Sequence, residues 1–166
     1  VISGLLISLA CLYLAAHAIQ SNWSYYTIEK FGWDETKIGI SLGVVGLMYA
    51  IVQGWLIRIL IPKLGQQRSV FIGLALYAAG FLLYALATQG WMMYAFTAVY
   101  CLGAIAGPAL QGIMSNAIPP NEQGELQGGF TSLVSLTSIA GPLLMNSVLF
   151  TYFTAPEAPV YLPGAP

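Results

Sequence analysis

The chain has 166 residues, 58% of them hydrophobic and 7% charged, with a mean hydropathy of +0.77. A soluble domain carries roughly a quarter charged residues, so the composition excludes one and indicates a membrane protein. The formal net charge of −1 leaves no electrostatic footprint for a nucleic-acid partner.

Apolar runs of about 20 residues cross a hydrocarbon core roughly 30 Å thick, and five are expected, over about 2–26, 38–61, 70–87, 91–118 and 126–153. The opening Val-Ile-Ser-Gly-Leu-Leu has no initiator Met and no basic n-region, so it reads as the inside of a helix and not as a signal peptide. Charges fall between the runs: Glu29, Lys30, Asp34, Glu35 and Lys37, then Lys63 and Arg68, then Glu122 and Glu125, with Glu157 after the last. Arg58 lies about a turn inside the second run, from where its long side chain can snorkel to the interface.

The first run carries Ala10, Tyr13, His17, Gln20 and Ser24 on one face. The second carries Gly39, Gly43, Gly46, Ala50, Gln53 and Gly54, and the third Gly73, Tyr77, Gly80 and Tyr84. The fourth carries Gly103, Gly107, Gln111 and Ser115, and the fifth Thr131, Ser135, Ser138, Pro142 and Asn146. Lipid rejects polar faces, so these stripes are expected to turn into the bundle or a cavity. Cys11 and Cys101 lack metal-ligand spacing and read as core thiols. Trp23, Trp33, Trp55 and Trp91 sit near span ends, as an aromatic belt places them.

The fourth and fifth runs each hold a Gly-Pro pair, Gly107-Pro108 and Gly141-Pro142. A proline deletes a backbone hydrogen bond and clashes one turn back, which a membrane bundle tolerates. The segment 154–166, with Pro156, Pro159, Pro163 and Pro166, is expected to be an extended loop leading to a sixth span. By the positive-inside rule, Arg58, Lys63 and Arg68 outweigh Lys30 and Lys37 and put the turn after the second run in the cytoplasm.

The order of spans, Phe31-Gly32-Trp33, the run Pro108-Ala109-Leu110-Gln111-Gly112, the turn Gln123-Gly124-Glu125-Leu126-Gln127-Gly128, and Ser132-Leu133 leading to Gly141-Pro142-Leu143-Leu144 together resemble the C-terminal half of the major facilitator superfamily. Within it they are most similar to the tetracycline/proton antiporter type. The resemblance implies an all-α membrane protein, a partial C-terminal half over residues 1–153 with five transmembrane helices equivalent to helices seven to eleven of twelve. It implies an N-terminal half outside this chain, and alternating access between two halves in the bacterial inner membrane. The implied activity is secondary active, proton-coupled efflux of a drug-like small molecule. A rival from another class is a non-transporting membrane sensor or assembly module that keeps the fold.

Gly54-x3-Arg58-x3-Pro62-Lys63-Leu64-Gly65-x2-Arg68 looks like the C-half echo of the superfamily's loop between helices two and three. Gly65 is expected to take a positive φ, and Arg58, Lys63 and Arg68 either latch one conformation or form an ordinary basic cytoplasmic turn. Gly141-Pro142 resembles an antiporter-type bend, with close packing as the alternative. The coupling His and Asp of the tetracycline type fall, by position, on Tyr49 and Tyr77. A phenol releases its proton only in alkaline solution, which counts against tetracycline or a metal chelate as the substrate.

The expected substrate-binding residues are His17, Gln20, Tyr49, Gln53, Tyr77 and Gln111, facing a shared interior pathway. His17 is of the one side-chain type that titrates near neutrality; it reads as a proton carrier, a substrate hydrogen-bonder or a packing residue. Gln53 and Gln111 match family glutamines and read as substrate contacts or interhelical glue. Tyr13, Tyr49, Tyr77 and Tyr84 can stack an aromatic or cationic compound or fill the bundle. Glu122 and Glu125 read as a helix cap and turn. No metalloprotease, nucleophile-elbow or phosphate-loop motif occurs, and neither a cofactor nor a metal is expected. The expected partners are the N-terminal half, a small-molecule substrate, protons and the lipid bilayer.

Overall fold

Residues 2–154 are described by a computed structural model, and their regular structure is helical throughout. Five helices are long and apolar enough to cross a membrane, making the chain a multi-pass membrane protein. They are α1 (Ile2–Phe31), α2 (Glu35–Leu64), α3 (Gln66–Leu86), α4 (Gly90–Asn116) and α5 (Pro120–Thr154). Thr154, placed by sequence in the Pro-rich tail, closes α5. The rest of that tail, 155–166, lies outside the described residues.

Caps set the helix ends. Gly32 at φ +60° ends α1 in a backbone conformation that L side chains rarely adopt. Asp34 then starts α2, its Oδ1 accepting the Lys37 N–H at 2.9 Å. The helices therefore run past the apolar stretches into polar sequence, because hydropathy marks only the part of a helix that carries apolar side chains. Gly65, at φ +81° and ψ 155°, makes the reversal between α2 and α3 with the positive φ expected of it. Its carbonyl accepts both the Ser69 N–H at 3.1 Å and the Ser69 hydroxyl at 2.8 Å.

Proline acts one turn upstream. Ahead of Pro108, the Ala104 and Ile105 N–H groups bond three residues back, to Cys101 and Leu102, at 3.1 and 3.4 Å. Regular α-helix resumes at Ala106. Directly after Pro142, α5 widens into a π-helical segment, Leu143–Phe150. A shorter π turn, Val52–Leu56, lies within α2 and contains Gln53 and Gly54.

The described chain forms two compact units, one of residues up to Lys30 with those from Met114 onward, the other of Phe31–Ile113. In the second unit α3 and α4 approach at backbone distance. A β-carbon at Gly80 would lie 2.9 Å from Tyr100 Cα, one at Gly73 2.8 Å from Ala106 N, and one at Gly103 2.8 Å from Tyr77 N. This is the small-residue packing that membrane helices use in place of a hydrophobic drive. The glycines of α2 do something else: Gly39, Gly43, Gly46 and Gly54 are exposed, and a β-carbon there meets nothing within 4 Å.

Three expectations are corrected by burial. Trp33 is a packing plug, 8% exposed, with its ring over Gly90 and stacked on Tyr94 at 5.6 Å. Trp23 is buried too, so of the four only Trp55 and Trp91, at 64% and 63%, are exposed. Cys101 is a core thiol but Cys11 is exposed. The turn before α5 is secured not by the Glu122 side chain, which makes no capping bond, but by Gln123. Its Nε2 donates to the carbonyls of Ser115 at 2.7 Å and Ile118 at 3.1 Å, and its Oε1 accepts the Ser115 hydroxyl at 2.9 Å.

The two kinds of glycine respond oppositely to one methyl group. Gly80→Ala drives a β-carbon into Tyr100 backbone and is expected to lower stability by about 1–3 kcal/mol. Gly46→Ala faces open space and is expected to be neutral, or stabilising by up to about 1 kcal/mol through helix propensity. Thermal unfolding of the detergent-solubilised protein checks this, and equal shifts for the two variants contradict it.

Candidate functional site

In the second unit the candidate residues gather around Tyr100, which α4 buries to 2% exposure. Tyr77 and Phe81 from α3 meet its ring edge-on, at 5.0 and 5.7 Å between centroids. Tyr84 approaches at 5.7 Å and Tyr49 of α2 at 6.1 Å. A buried phenol needs a hydrogen-bond partner, and the tyrosines around Tyr100 divide on that point. Tyr84 donates to Thr97 Oγ1 at 2.8 Å, and Thr97 in turn donates to the Met93 carbonyl at 2.7 Å. Tyr84 is thus a satisfied core residue. Tyr49 and Tyr77 are half-buried and share a hydrogen bond between their hydroxyls at 3.0 Å.

Tyr49 and Tyr77 thus occur as a hydrogen-bonded pair with aromatic faces. Such a pair can stack a flat ring or lie against a cation, and it offers a donor and acceptors to a polar ligand. Gln53 is exposed on the open glycine face of α2, inside the π turn, and Gln111 is half-buried on α4. In the same unit Gly107 is buried and Pro108 half-buried. Arg58, Lys63 and Arg68 are all exposed around the Gly65 turn.

In the first unit α1 and α5 touch around His17. A β-carbon at Gly141 would lie 2.6 Å from His17 Cβ, so glycine is what lets α5 press on α1 at the root of the imidazole. Pro142 follows it and the π segment begins one residue later; close packing and irregular geometry occur here together. One turn along α1, the Ser21 hydroxyl donates to the His17 carbonyl at 2.6 Å, and Asn146 Nδ2 donates to the Ser21 carbonyl at 3.1 Å. Tyr25 and Phe150 continue the contact at 5.9 Å. His17 is half-buried, while Gln20 is exposed.

The first unit holds two polar atoms that the sequence did not single out. Asn22 Oδ1 and Asn146 Oδ1 are buried and have no hydrogen-bond partner. A buried acceptor left unsatisfied costs about 1–3 kcal/mol, and native folds carry few of them. The signal in the sequence was slight: Asn146 stood on the polar stripe of α5, and Asn22 lay off the stripe of α1. Tyr100 was missed for a similar reason, since its stripe neighbours are apolar and only the packing shows it as the hub.

The sequence profile of the Major Facilitator Superfamily matches residues 5–165. Among curated proteins, the class G tetracycline resistance protein of Vibrio anguillarum is 38% identical over 64% of this chain and 27% of its own length. The class E protein of Escherichia coli is 36% identical over 76% of this chain and 31% of its own. The class C protein of Escherichia coli is 32% identical over 77% and 32%. The chain thus spans only about a third or less of the length of these relatives. No solved structure matches it. With the family match running almost from end to end, over five helices of membrane-crossing length, the chain belongs to the Major Facilitator Superfamily.

Proposed function

We propose that the chain is the C-terminal half, helices seven to eleven of twelve, of a proton-coupled exporter that moves a drug-like small molecule across the bacterial inner membrane by alternating access. Its partner in that reading is an N-terminal half that pairs with residues 1–153. The observation that carries the proposal is the run of relatives named as tetracycline resistance proteins, at 32–38% identity. In the first unit His17 and Gln20 are the substrate-facing groups; in the second they are Tyr49, Gln53, Tyr77 and Gln111. The bends at Gly107-Pro108 and Gly141-Pro142 absorb the conformational change, and Arg58, Lys63, Gly65 and Arg68 form the cytoplasmic turn.

The chemistry of the tyrosine pair narrows the substrate. Tyr49 and Tyr77 offer aromatic faces and hydroxyls and no fixed charge, which suits a flat neutral or cationic compound better than an anionic metal chelate. The α2–α5 spans hold no acid apart from Glu35 at the start of α2 and Glu122 and Glu125 at the start of α5. Proton coupling therefore resides in the other half, with His17 as the one titratable candidate deep in a span of this one.

Two measurements test this. Expressed from its full gene in a pump-deficient bacterium, the protein is expected to lower accumulation of planar aromatic cations, and His17→Ala to weaken that effect. Unchanged accumulation of every compound tried contradicts the exporter reading, and an unaffected His17→Ala removes that residue from it. In the same cells Tyr49→Phe and Tyr77→Phe each remove the hydrogen bond between the two hydroxyls, worth about 0.5–1.5 kcal/mol, and are each expected to raise the transport KM by about 2–10-fold; an unchanged KM in both variants contradicts a substrate-facing role for the pair.

A further inference from the structure

The orphaned Asn146 oxygen is the feature of the first unit that neither helix packing nor capping explains. Its amide orientation is set, because Nδ2 donates to the Ser21 carbonyl at 3.1 Å and only the nitrogen can do so. That leaves Oδ1 as an acceptor, buried and without a partner. Asn22, the residue after Ser21, presents a second such oxygen from a side chain only 7% exposed. Asn146 also lies in the π segment Leu143–Phe150, and π segments recur at functional sites because they re-aim side chains. One turn away, the Gly141 notch seats α5 on His17.

We infer that the α1–α5 crossing is a ligand subsite for a hydrogen-bond donor, with Asn146 Oδ1 as its principal acceptor and Asn22 Oδ1 as the second. The ligand class is a compact N–H or O–H donor group, best a protonated amine, because two amide oxygens present partial negative charge and no lysine or arginine lies between His17 and Tyr25 on α1 or between Gly141 and Phe150 on α5. The oxygens are covered, so the donor reaches them as the α1–α5 contact loosens, and arrival satisfies groups that the closed packing leaves bare. The inference rests on the exporter reading for the idea that a small molecule enters this half at all, yet it can be tested by binding alone.

The probes are lipophilic tertiary amines, protonated at pH 7, each paired with its N-methyl quaternary analogue, which keeps the cation and lacks the N–H. Binding is measured by equilibrium dialysis on the detergent-purified full-length protein and on Asn146→Leu, Asn146→Ala and Asn22→Leu. The expected result is that Asn146→Leu and Asn146→Ala weaken the tertiary amines about tenfold and Asn22→Leu weakens them less. The quaternary analogues are expected to bind all forms alike, which also shows that the variants are folded. Equal loss for both members of a pair makes Asn146 a structural residue and overturns the inference. So does unchanged amine binding in the Asn146 variants, as for an oxygen that meets only water, or failure of the unsubstituted protein to bind the amines. Amine binding that depends on Asn146 without any efflux in cells leaves the subsite standing and counts against the exporter reading alone.

Discussion

The contact on which the second unit depends is the backbone-to-backbone approach of α3 and α4. Acyl chains are as apolar as leucine, so nothing drives two such helices together by burial of oily surface, and they must gain from close van der Waals fit. Gly73, Gly80 and Gly103 provide it by leaving room for Ala106, Tyr100 and Tyr77. The aromatic cluster follows from that approach. Tyr100 is brought against Tyr77, Phe81 and Tyr84 only because Gly80 lies beneath its backbone, and the Tyr49–Tyr77 hydroxyl pair forms at the edge of the same cluster. The first unit has a smaller version of the device in Gly141 on His17.

The helices and their number were legible because hydropathy and length decide which segments can cross a bilayer. The turn at Gly65 was legible because a glycine between a basic helix end and a new apolar run has few other uses. The candidate site was legible in part. Tyr49 and Tyr77 could be named as candidates through family positions, but their contact could not be read from them, and the glycine stripes of α2 and α3 look alike in sequence and behave oppositely. One is closed by α4 and the other faces open space, a difference that resides in the partner and not in the stripe. Trp33 and Trp55 differ in the same way, one plugged over Gly90 and the other exposed. Cys11, Gln123 and Asn146 were misread or passed over because exposure, a three-bond clasp and an orphaned oxygen all depend on residues distant in the chain.

The irregular backbone falls where the proposed function needs compliance. Pro108 loosens α4 at Ala104–Ile105, the stretch that packs on Gly73, and Pro142 precedes the π segment that carries Asn146. Each of these two segments is therefore joined to a tight glycine contact, whereas the π turn Val52–Leu56 of α2 lies on the open glycine face. Tight fit fixes position, and the interrupted hydrogen-bond ladder beside it gives a place to bend without breaking the helix.

Not all the small and polar faces are used up by packing. Gly43, Gly46, Ala50 and Gln53 on α2, and Thr131, Ser135 and Ser138 on α5, remain exposed, and a transporter turns such faces toward water and not toward acyl chains. Cysteine labelling in native membranes measures this directly, using full-length protein in which Cys11 and Cys101 are replaced. Single cysteines at Ala50, Gln53 and Ser135 are expected to react with a membrane-impermeant thiol reagent, while one at Phe71, an apolar residue 75% exposed, is expected to stay unlabelled. Ala50, Gln53 and Ser135 as unreactive as Phe71 would mean that these faces meet lipid, and the transporter reading of this chain would be contradicted.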